Sequence, residues 1–161
     1  MTGVQTCALP IYKNDRPVEQ FKELEVKLPG YPKADDLLSF DAGAASPHRF
    51  YIDSKSLSVG TDGVVRYTLV VKTSGGTTNV SYEGMRCDLR EVKIYATGGA
   101  AGTWARALDP HWASIRARTV NNQHAVLFRD YFCGLKTGKT PVARVQEALE
   151  LLRTGGPQTT R

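Results

Sequence analysis

Apolar and polar residues alternate through the middle of the chain, and this alternation predicts β-strands. The longest run is residues 64–72, where every second side chain is apolar: Val65, Tyr67, Leu69 and Val71. A period of two is typical of a strand that buries one face and leaves the other face solvated. Shorter segments with strand character are residues 37–40, 49–53, 57–59, 78–87 and 91–97.

Tight turns join these segments and indicate their relative direction. Asp62-Gly63 lies just before the longest run, and an Asp-Gly pair is a strong hairpin signal. Gly75-Gly76 follows that run, and residues 88–90 must reverse the chain because the apolar phase changes across them. Consecutive strands joined by short turns favour an antiparallel meander over parallel βαβ units.

Helical periodicity replaces the alternation after residue 120. Apolar side chains and one histidine recur at spacings of three and four residues: His124, Leu127, Phe128 and Tyr131. They predict an amphipathic helix over residues 121–132. A second helix is predicted from Thr140, a good N-cap that is followed by a proline, to a stop at Gly155-Gly156.

These elements predict one α+β domain over residues 33–153, with an antiparallel sheet of about five or six strands packed against two helices. Residues 12–32 are polar and end in prolines and a glycine, so an extended arm is predicted there, with one helical turn near residues 19–24. Residues 154–161 are predicted to form a disordered tail.

The first eleven residues are a separate case. Residues 1–11 look like the translation of a sequencing adaptor, and we set them aside before reasoning about the fold. We expect the natural protein to begin at or just after Tyr12, with its true N-terminus and any export signal missing. Cys7 then does not belong to the protein, which leaves two cysteines.

Cys87 and Cys133 are these two cysteines, and a disulfide between them is the first interpretation. Such a bridge would close a long loop, worth about 4 kcal/mol by loop entropy, and would indicate a compartment outside the cytoplasm. Two inert buried thiols, or a catalytic cysteine, are the alternatives. Neither a metal site nor a cofactor is predicted, because the cysteines are far apart and the histidines are scattered: His48, His111 and His124.

The charge of the chain sets limits on its partners. The formal net charge is +5, from 21 basic and 16 acidic residues that are interspersed without a run of five or more of one sign. This distribution indicates mainly solubility. Binding of a nucleic acid or another anionic polymer through Arg106, Arg116 and Arg118 is kept as an alternative. The apolar runs are too short to form a transmembrane segment.

Two patterns suggest an enzyme, but neither fits the chemistry well. Residues 134–140 resemble a phosphate-binding loop, yet three residues stand where four are needed between its glycines, and Cys133 takes the place of the first glycine. His124 and Asp130 could form a hydrolytic triad with a serine, which only geometry can decide. An enzyme that uses His124 is therefore kept as an alternative, without assigned catalytic residues.

A short region between the sheet and the helices is the candidate contact surface, because it combines indoles with guanidinium groups that could stack on a partner. Its residues are Trp104, Arg106, Trp112, Arg116 and Arg118. The alternative is that both indoles cap the core beneath a long connection.

Glu83 is an acidic residue in the middle of a predicted strand. Cross-strand pairs of opposite charge stabilise sheets by about 0.2–1 kcal/mol. We therefore expect Glu83 to pair with Arg66 or Arg86.

Five segments, in this order, resemble a known family. They are Leu28-Pro29-x-Tyr31-Pro32, Arg49-Phe50-x-Ile52-Asp53 with residues 56–60, residues 63–70, Asn79-Val80-Ser81-x-Glu83-Gly84-x-Arg86-Cys87, and Arg129-Asp130-x-Phe132-Cys133. The family is the cryptic neisserial protein one-like (CNP-one-like) family of exported proteins from Gram-negative bacteria, and the resemblance covers about Phe21 to Arg153. It implies a periplasmic or outer-membrane-associated protein and supplies no catalytic residues.

A weaker similarity links the strand order of residues 51–95 to surface-adhesin protein E. It implies, as an alternative, a surface binder of host or matrix proteins. The leading prediction is a non-enzymatic binding or structural module of the cell envelope, whose partner is an envelope protein or a surface ligand.

Overall fold

A computed structural model describes residues 20–43, 45–118, 120–134 and 140–156 of the chain. The segment interpreted as translated adaptor, residues 1–11, lies outside the described residues. So does most of the predicted disordered tail, from residue 157 onwards.

The described residues form one antiparallel sheet of eight strands, in the order β1-β2-β4-β5-β6-β7. The two remaining strands are short, and β3 pairs with β4 while β8 pairs with β6. The bounds are β1 (Leu37–Phe40), β2 (Arg49–Asp53), β3 (Ser58–Val59), β4 (Val64–Lys72), β5 (Thr78–Arg86), β6 (Glu91–Gly98), β7 (Trp104–Arg106) and β8 (Ala113–Ser114).

All six predicted strand segments are present, with their ends within one residue of the prediction. Every strand pair is antiparallel, so the predicted meander is confirmed. β7 and β8 were not predicted, because three and two residues are too short to show an alternation.

One face of the sheet carries the main core and packs against two helices. The first helix consists of α1 (Gln123–Val126) and a π-helical segment, Leu127–Phe132, that continues it. The second helix is α2 (Val145–Thr154), which contacts β1 and the π-helical segment. Val65, Tyr67 and Leu69 of β4 point into this core, as their alternation predicts. The predicted α+β class is therefore confirmed.

The second helix does not begin where the sequence predicts. Thr140 and Pro141 lie before the helix in extended chain, because this segment pairs with the end of the π-helical segment instead. The backbone N–H of Gly134 donates to the carbonyl of Thr140, and that of Val142 donates to the carbonyl of Phe132 at 2.9 Å. The predicted end is right, since Gly155 adopts the left-handed conformation that closes α2.

Cys87 and Cys133 form a disulfide, with their Cα atoms 5.5 Å apart. Cys87 directly follows β5 and Cys133 directly follows the π-helical segment. Both residues belong to the main core. The bridge therefore fastens the first helix to the end of a central strand, and the disulfide interpretation is confirmed over the two alternatives.

The opposite face of the sheet is not solvated, so that expectation for residues 64–72 is wrong. Arg66 and Thr68, which lie on this face of β4, are only 6% and 0% exposed. Residues 20–33, which we call the arm, lie over the face without regular secondary structure and without the expected helical turn. Val26 and Leu28 of the arm pack against a small cluster of buried side chains: Tyr82, Tyr95 and Ala96.

Candidate functional site

His124 and Glu83 form an ion pair where the first helix meets the sheet. His124 Nε2 lies 2.6 Å from Glu83 Oε1. The Glu83 side chain is 2% exposed, whereas that of His124 is 24% exposed. Glu83 points to the helix side because its cross-strand neighbour in β4 is Tyr67, which also points into the main core. The carboxylate is therefore buried, and the imidazole lies between it and the surface.

Two hydroxyl groups complete the environment of the Glu83 carboxylate. The Tyr67 hydroxyl donates to Oε1 at 3.0 Å, and the Ser81 hydroxyl donates to Oε2 at 2.5 Å. Burial and the charge of Glu83 raise the pKa of Tyr67 well above its usual value. Tyr67 therefore stays protonated and acts as a hydrogen-bond donor.

The ion pair shifts the pKa values of both partners towards their charged forms. Burial by itself raises the pKa of Glu83, but the charge and hydrogen bond of His124, with the two hydroxyl donors, lower it overall. Burial by itself lowers the pKa of His124, but the charge and hydrogen bond of Glu83 raise it overall from the ordinary value of 6.5. The geometry therefore favours an imidazolium beside an ionised carboxylate.

His124 also lines a surface cavity of about 220 Å³, which we call the basic cavity. Arg116 and Arg118 line it as well, and both are exposed. Its remaining lining residues are Val92, Ser114, Ile115, Asn121 and Gln123. No acidic side chain is among the described residues that line it. Arg116 and Arg118 give the cavity its positive charge, because the charge of a protonated His124 is balanced by Glu83.

A second cavity, of about 400 Å³, adjoins the basic cavity at Val92, which lines both. We call it the apolar cavity, because Ile94, Leu108 and Pro110 are among its lining residues. Ile94 and Leu108 are exposed apolar side chains. The remaining lining residues are Ala107, Asp109, His111 and Ala113.

The five residues of the predicted contact surface do not lie together. Arg116 and Arg118 line the basic cavity, whereas Arg106 lies on β7. Both indoles are half-buried against the arm. Trp104 donates its Nε1–H to the carbonyl of Pro29 at 2.8 Å, and Trp112 packs edge-on against Phe21 with a centroid distance of 6.2 Å. A contact role for any of the five stays a prediction.

The expected pairing of Glu83 with an arginine is wrong. Arg66 pairs with Asp62 at 2.6 Å, and Arg86 pairs with Asp88 at 3.0 Å. Alternation explains the error, because residues 83 and 86 point to opposite faces of β5, and the cross-strand neighbour of Arg66 is Gly84.

The hydrolytic triad drawn from the sequence is not assembled. Asp130 pairs with Arg129 at 2.8 Å. His124 pairs with Glu83, and not with Asp130 or a serine, among the hydrogen bonds and ion pairs of the described residues. His48 accepts a hydrogen bond from the backbone of Ser74, and His111 lies beside the carbonyl of Asp109. The described residues contain no group of three potential metal ligands.

Sequence reasoning missed the pairing of Glu83 with His124, which are 41 residues apart. One signal was available. Glu83 is an acidic residue in the middle of a strand, flanked by Tyr82 and Gly84, and a buried carboxylate needs a cation or several donors. The partner could not be chosen without the fold, because three histidines and several arginines could have filled that role.

The architecture defines a class of small α+β protein, in which a disulfide-tied helix covers one face of an antiparallel sheet and an N-terminal arm covers the other. The sequence matches the family model of the CNP1-like family over residues 16–153, and the chain belongs to this family. Comparison with curated proteins and with solved structures gave no match. Within the described residues, no helix has the length and apolar character to span a bilayer.

Proposed function

We propose that the protein is a non-enzymatic binding module of the bacterial cell envelope, and that its ligand contacts the basic cavity. The observation that carries this proposal is the convergence of Arg116, Arg118 and His124 on one cavity. Arg116 and Arg118 are exposed cations without an acidic residue among the described lining residues, and a recess of this kind suits an anionic group, although the charge of His124 is balanced by Glu83.

The disulfide supports the envelope location. A buried bridge between Cys87 and Cys133 holds the first helix on the sheet. Such bridges form and persist in oxidising compartments, of which the bacterial periplasm is one. The location is tested by fractionating cells that express the complete gene in their native host. We expect the protein in the osmotic-shock fraction, and recovery with a cytoplasmic marker enzyme would contradict the location.

A binding role and a catalytic role make different demands on His124. The ion pair with Glu83 raises the pKa of His124 and so favours the protonated ring. In a binding module this ring is a hydrogen-bond donor to the ligand, whereas in an enzyme it would be the group that transfers a proton. An enzyme that uses His124 would instead lose its activity in a His124→Ala variant.

Retention of envelope components by immobilised protein tests the binding role. Arg116→Glu combined with Arg118→Glu reverses the charge of the basic cavity. Arg153→Glu, on the exposed side of α2, is the matched control for charge reversal elsewhere. We expect wild type and the control to retain the same component, and the double variant to lose it. Equal retention by all three proteins would contradict the role of the cavity. A retained component from host matrix extract alone would favour the adhesin alternative.

A further inference from the structure

The two adjoining cavities differ in chemistry, and together they suit a ligand that is anionic at one end and apolar at the other. The basic cavity presents Arg116, Arg118 and His124, and the apolar cavity presents Ile94 and Leu108. Val92 lines both cavities, so they are neighbours, and a ligand that fills both must pass over Val92.

We propose that these cavities bind the C-terminal end of an extended peptide, with the terminal carboxylate in the basic cavity and apolar side chains in the apolar cavity. The inference rests on the proposed function, because it names the ligand class of the same site. A carboxylate matches the planar fork of an arginine, which can donate two parallel hydrogen bonds to it.

Gln123 favours a peptide over other anions with an apolar part. Its side chain lines the basic cavity, and its Oε1 is buried without a hydrogen-bond partner among the described residues. A buried acceptor without a donor is unfavourable. A peptide carries N–H groups beside its carboxylate and can supply the donor when Gln123 turns towards it. A fatty acid carries no N–H group.

The edge of the sheet beside the apolar cavity also suits an extended chain. On the outer side of β6, pairing with β8 stops at Val92 and pairing with β7 resumes at Ala96. Between them, Lys93 and Ile94 have no strand neighbour on that side among the described residues. The stretch is short, because the Tyr95 carbonyl already accepts a hydrogen bond from Ala107 N–H at 2.9 Å. A peptide can therefore hydrogen-bond to the strand locally here, while its side chains enter the neighbouring cavity.

Fluorescence anisotropy with the full 161-residue protein tests the proposal. The probe is a hexapeptide labelled at its N-terminus, with the sequence Gly-Ser-Gly-Ala-Leu-Leu and a free C-terminal carboxylate. The same peptide with a C-terminal amide is the matched control. We expect amidation to weaken binding at least about tenfold, because charge-assisted hydrogen bonds to the carboxylate are lost.

Substitutions in each cavity test which end of the ligand that cavity contacts. Arg116→Ala with Arg118→Ala should weaken binding of the free acid at least about tenfold and leave the amide unchanged. Leu108→Ser should weaken both peptides, because it acts on the apolar end. Arg153→Ala should change neither. Unchanged thermal unfolding of each variant shows that the fold is intact.

Three outcomes would overturn the proposal. One is equal binding of acid and amide, and another is no binding of either peptide. The third is that the protein binds phosphatidylglycerol vesicles but not the free-acid peptide, and that the Arg116 and Arg118 substitutions abolish vesicle binding. This result would assign the site to a membrane surface. If the peptide test fails in one of these ways, the retention experiment decides about the proposed function. When the variant with Arg116→Glu and Arg118→Glu still loses its envelope component, the proposed function stands and only the peptide proposal fails. When this variant retains the component as well as wild type does, both proposals fail.

Discussion

Arg66 and Tyr67 are neighbours in β4, yet their polar ends belong to separate buried networks on opposite faces of the sheet. Arg66 pairs with Asp62 at 2.6 Å beneath the arm. Tyr67 donates to Glu83 at 3.0 Å beneath the first helix. The same strand therefore anchors both layers that cover the sheet, and each network can be tested by itself.

The ion pair of Glu83 and His124 should make stability depend on pH. Because the pKa of His124 is raised by folding, its stabilising contribution is complete below 6.5, and it is lost as the pH rises through the raised value. Because the pKa of Glu83 is lowered, its contribution is present above 4.5, and it is lost as the pH falls through the lowered value. The pair should therefore stabilise the protein most between pH 4.5 and pH 6.5.

The matched variant for this test is Glu83→Gln combined with His124→Gln, which removes both titrating groups. Urea unfolding of both proteins at several pH values gives the difference in their free energies of unfolding. This difference should decrease towards alkaline pH and towards strongly acidic pH. A difference that does not change with pH would show that folding does not shift the pKa values of Glu83 and His124.

Loss of the disulfide should destabilise the protein by about 2–4 kcal/mol, because the unfolded chain is no longer cross-linked. The measurement is urea unfolding of the protein with and without reductant, in a Cys7→Ser background that leaves only Cys87 and Cys133. Cys87→Ala with Cys133→Ala should resemble the reduced protein and should not respond to reductant. Equal stability of the oxidised and reduced proteins would contradict the structural role of the bridge.

Glu23 should fasten the arm to the sheet. Its carboxylate accepts hydrogen bonds from Lys93 Nζ at 2.8 Å and from the Tyr95 hydroxyl at 2.7 Å. Glu23→Ala should lower the free energy of unfolding by about 1–2 kcal/mol, because two partly buried donors lose their acceptor. Glu25→Ala removes an exposed glutamate of the same arm and should have little effect. Equal unfolding midpoints for these two variants would mean that Glu23 does not hold the arm.

Gly84 should tolerate no side chain. A Cβ at this position would lie 2.5 Å from the hydroxyl oxygen and 2.8 Å from Cε2 of Tyr95, whose ring lies over the glycine. Gly84→Ala should destabilise the protein by about 1–3 kcal/mol, because Tyr95 or the strand must move. Gly75→Ala is the control, since its nearest neighbour would be Thr73 Oγ1 at 3.9 Å. Thermal unfolding that does not distinguish the two variants would contradict this close packing.

The sequence was sufficient to predict the strands that carry a clear alternation and the turns between them. The prediction failed where a polar residue can lie either in solvent or in a buried polar network. Polar residues at positions 66 and 68 indicate a solvated face when β4 is considered alone. Both are buried with polar partners on that face, since Thr68 accepts a hydrogen bond from the Ser56 hydroxyl at 2.8 Å and Arg66 pairs with Asp62. The arm adds the contact of Glu23 with Arg66 at 4.0 Å, which joins positions far apart in the chain.

The candidate site was predicted only in part, for a similar reason. Arg116 and Arg118 were singled out for their charge, and His124 for its place on a helix. That all three line one cavity depends on the path of residues 107–118 and 120–122, which have almost no regular structure and leave little periodic signal. Trp104 and Trp112 were grouped with the arginines because of proximity in sequence, but the arm holds both indoles elsewhere.

The arm also has a consequence for the order of assembly. Glu23 precedes its partners Lys93 and Tyr95 by 70 and 72 residues, and Pro29 precedes Trp104 by 75 residues. During synthesis the arm therefore emerges before its binding face, which is complete only when β6 and β7 exist. Contacts with such long sequence separation form late in folding. A nascent chain must keep this segment unpaired while six strands of the sheet are made.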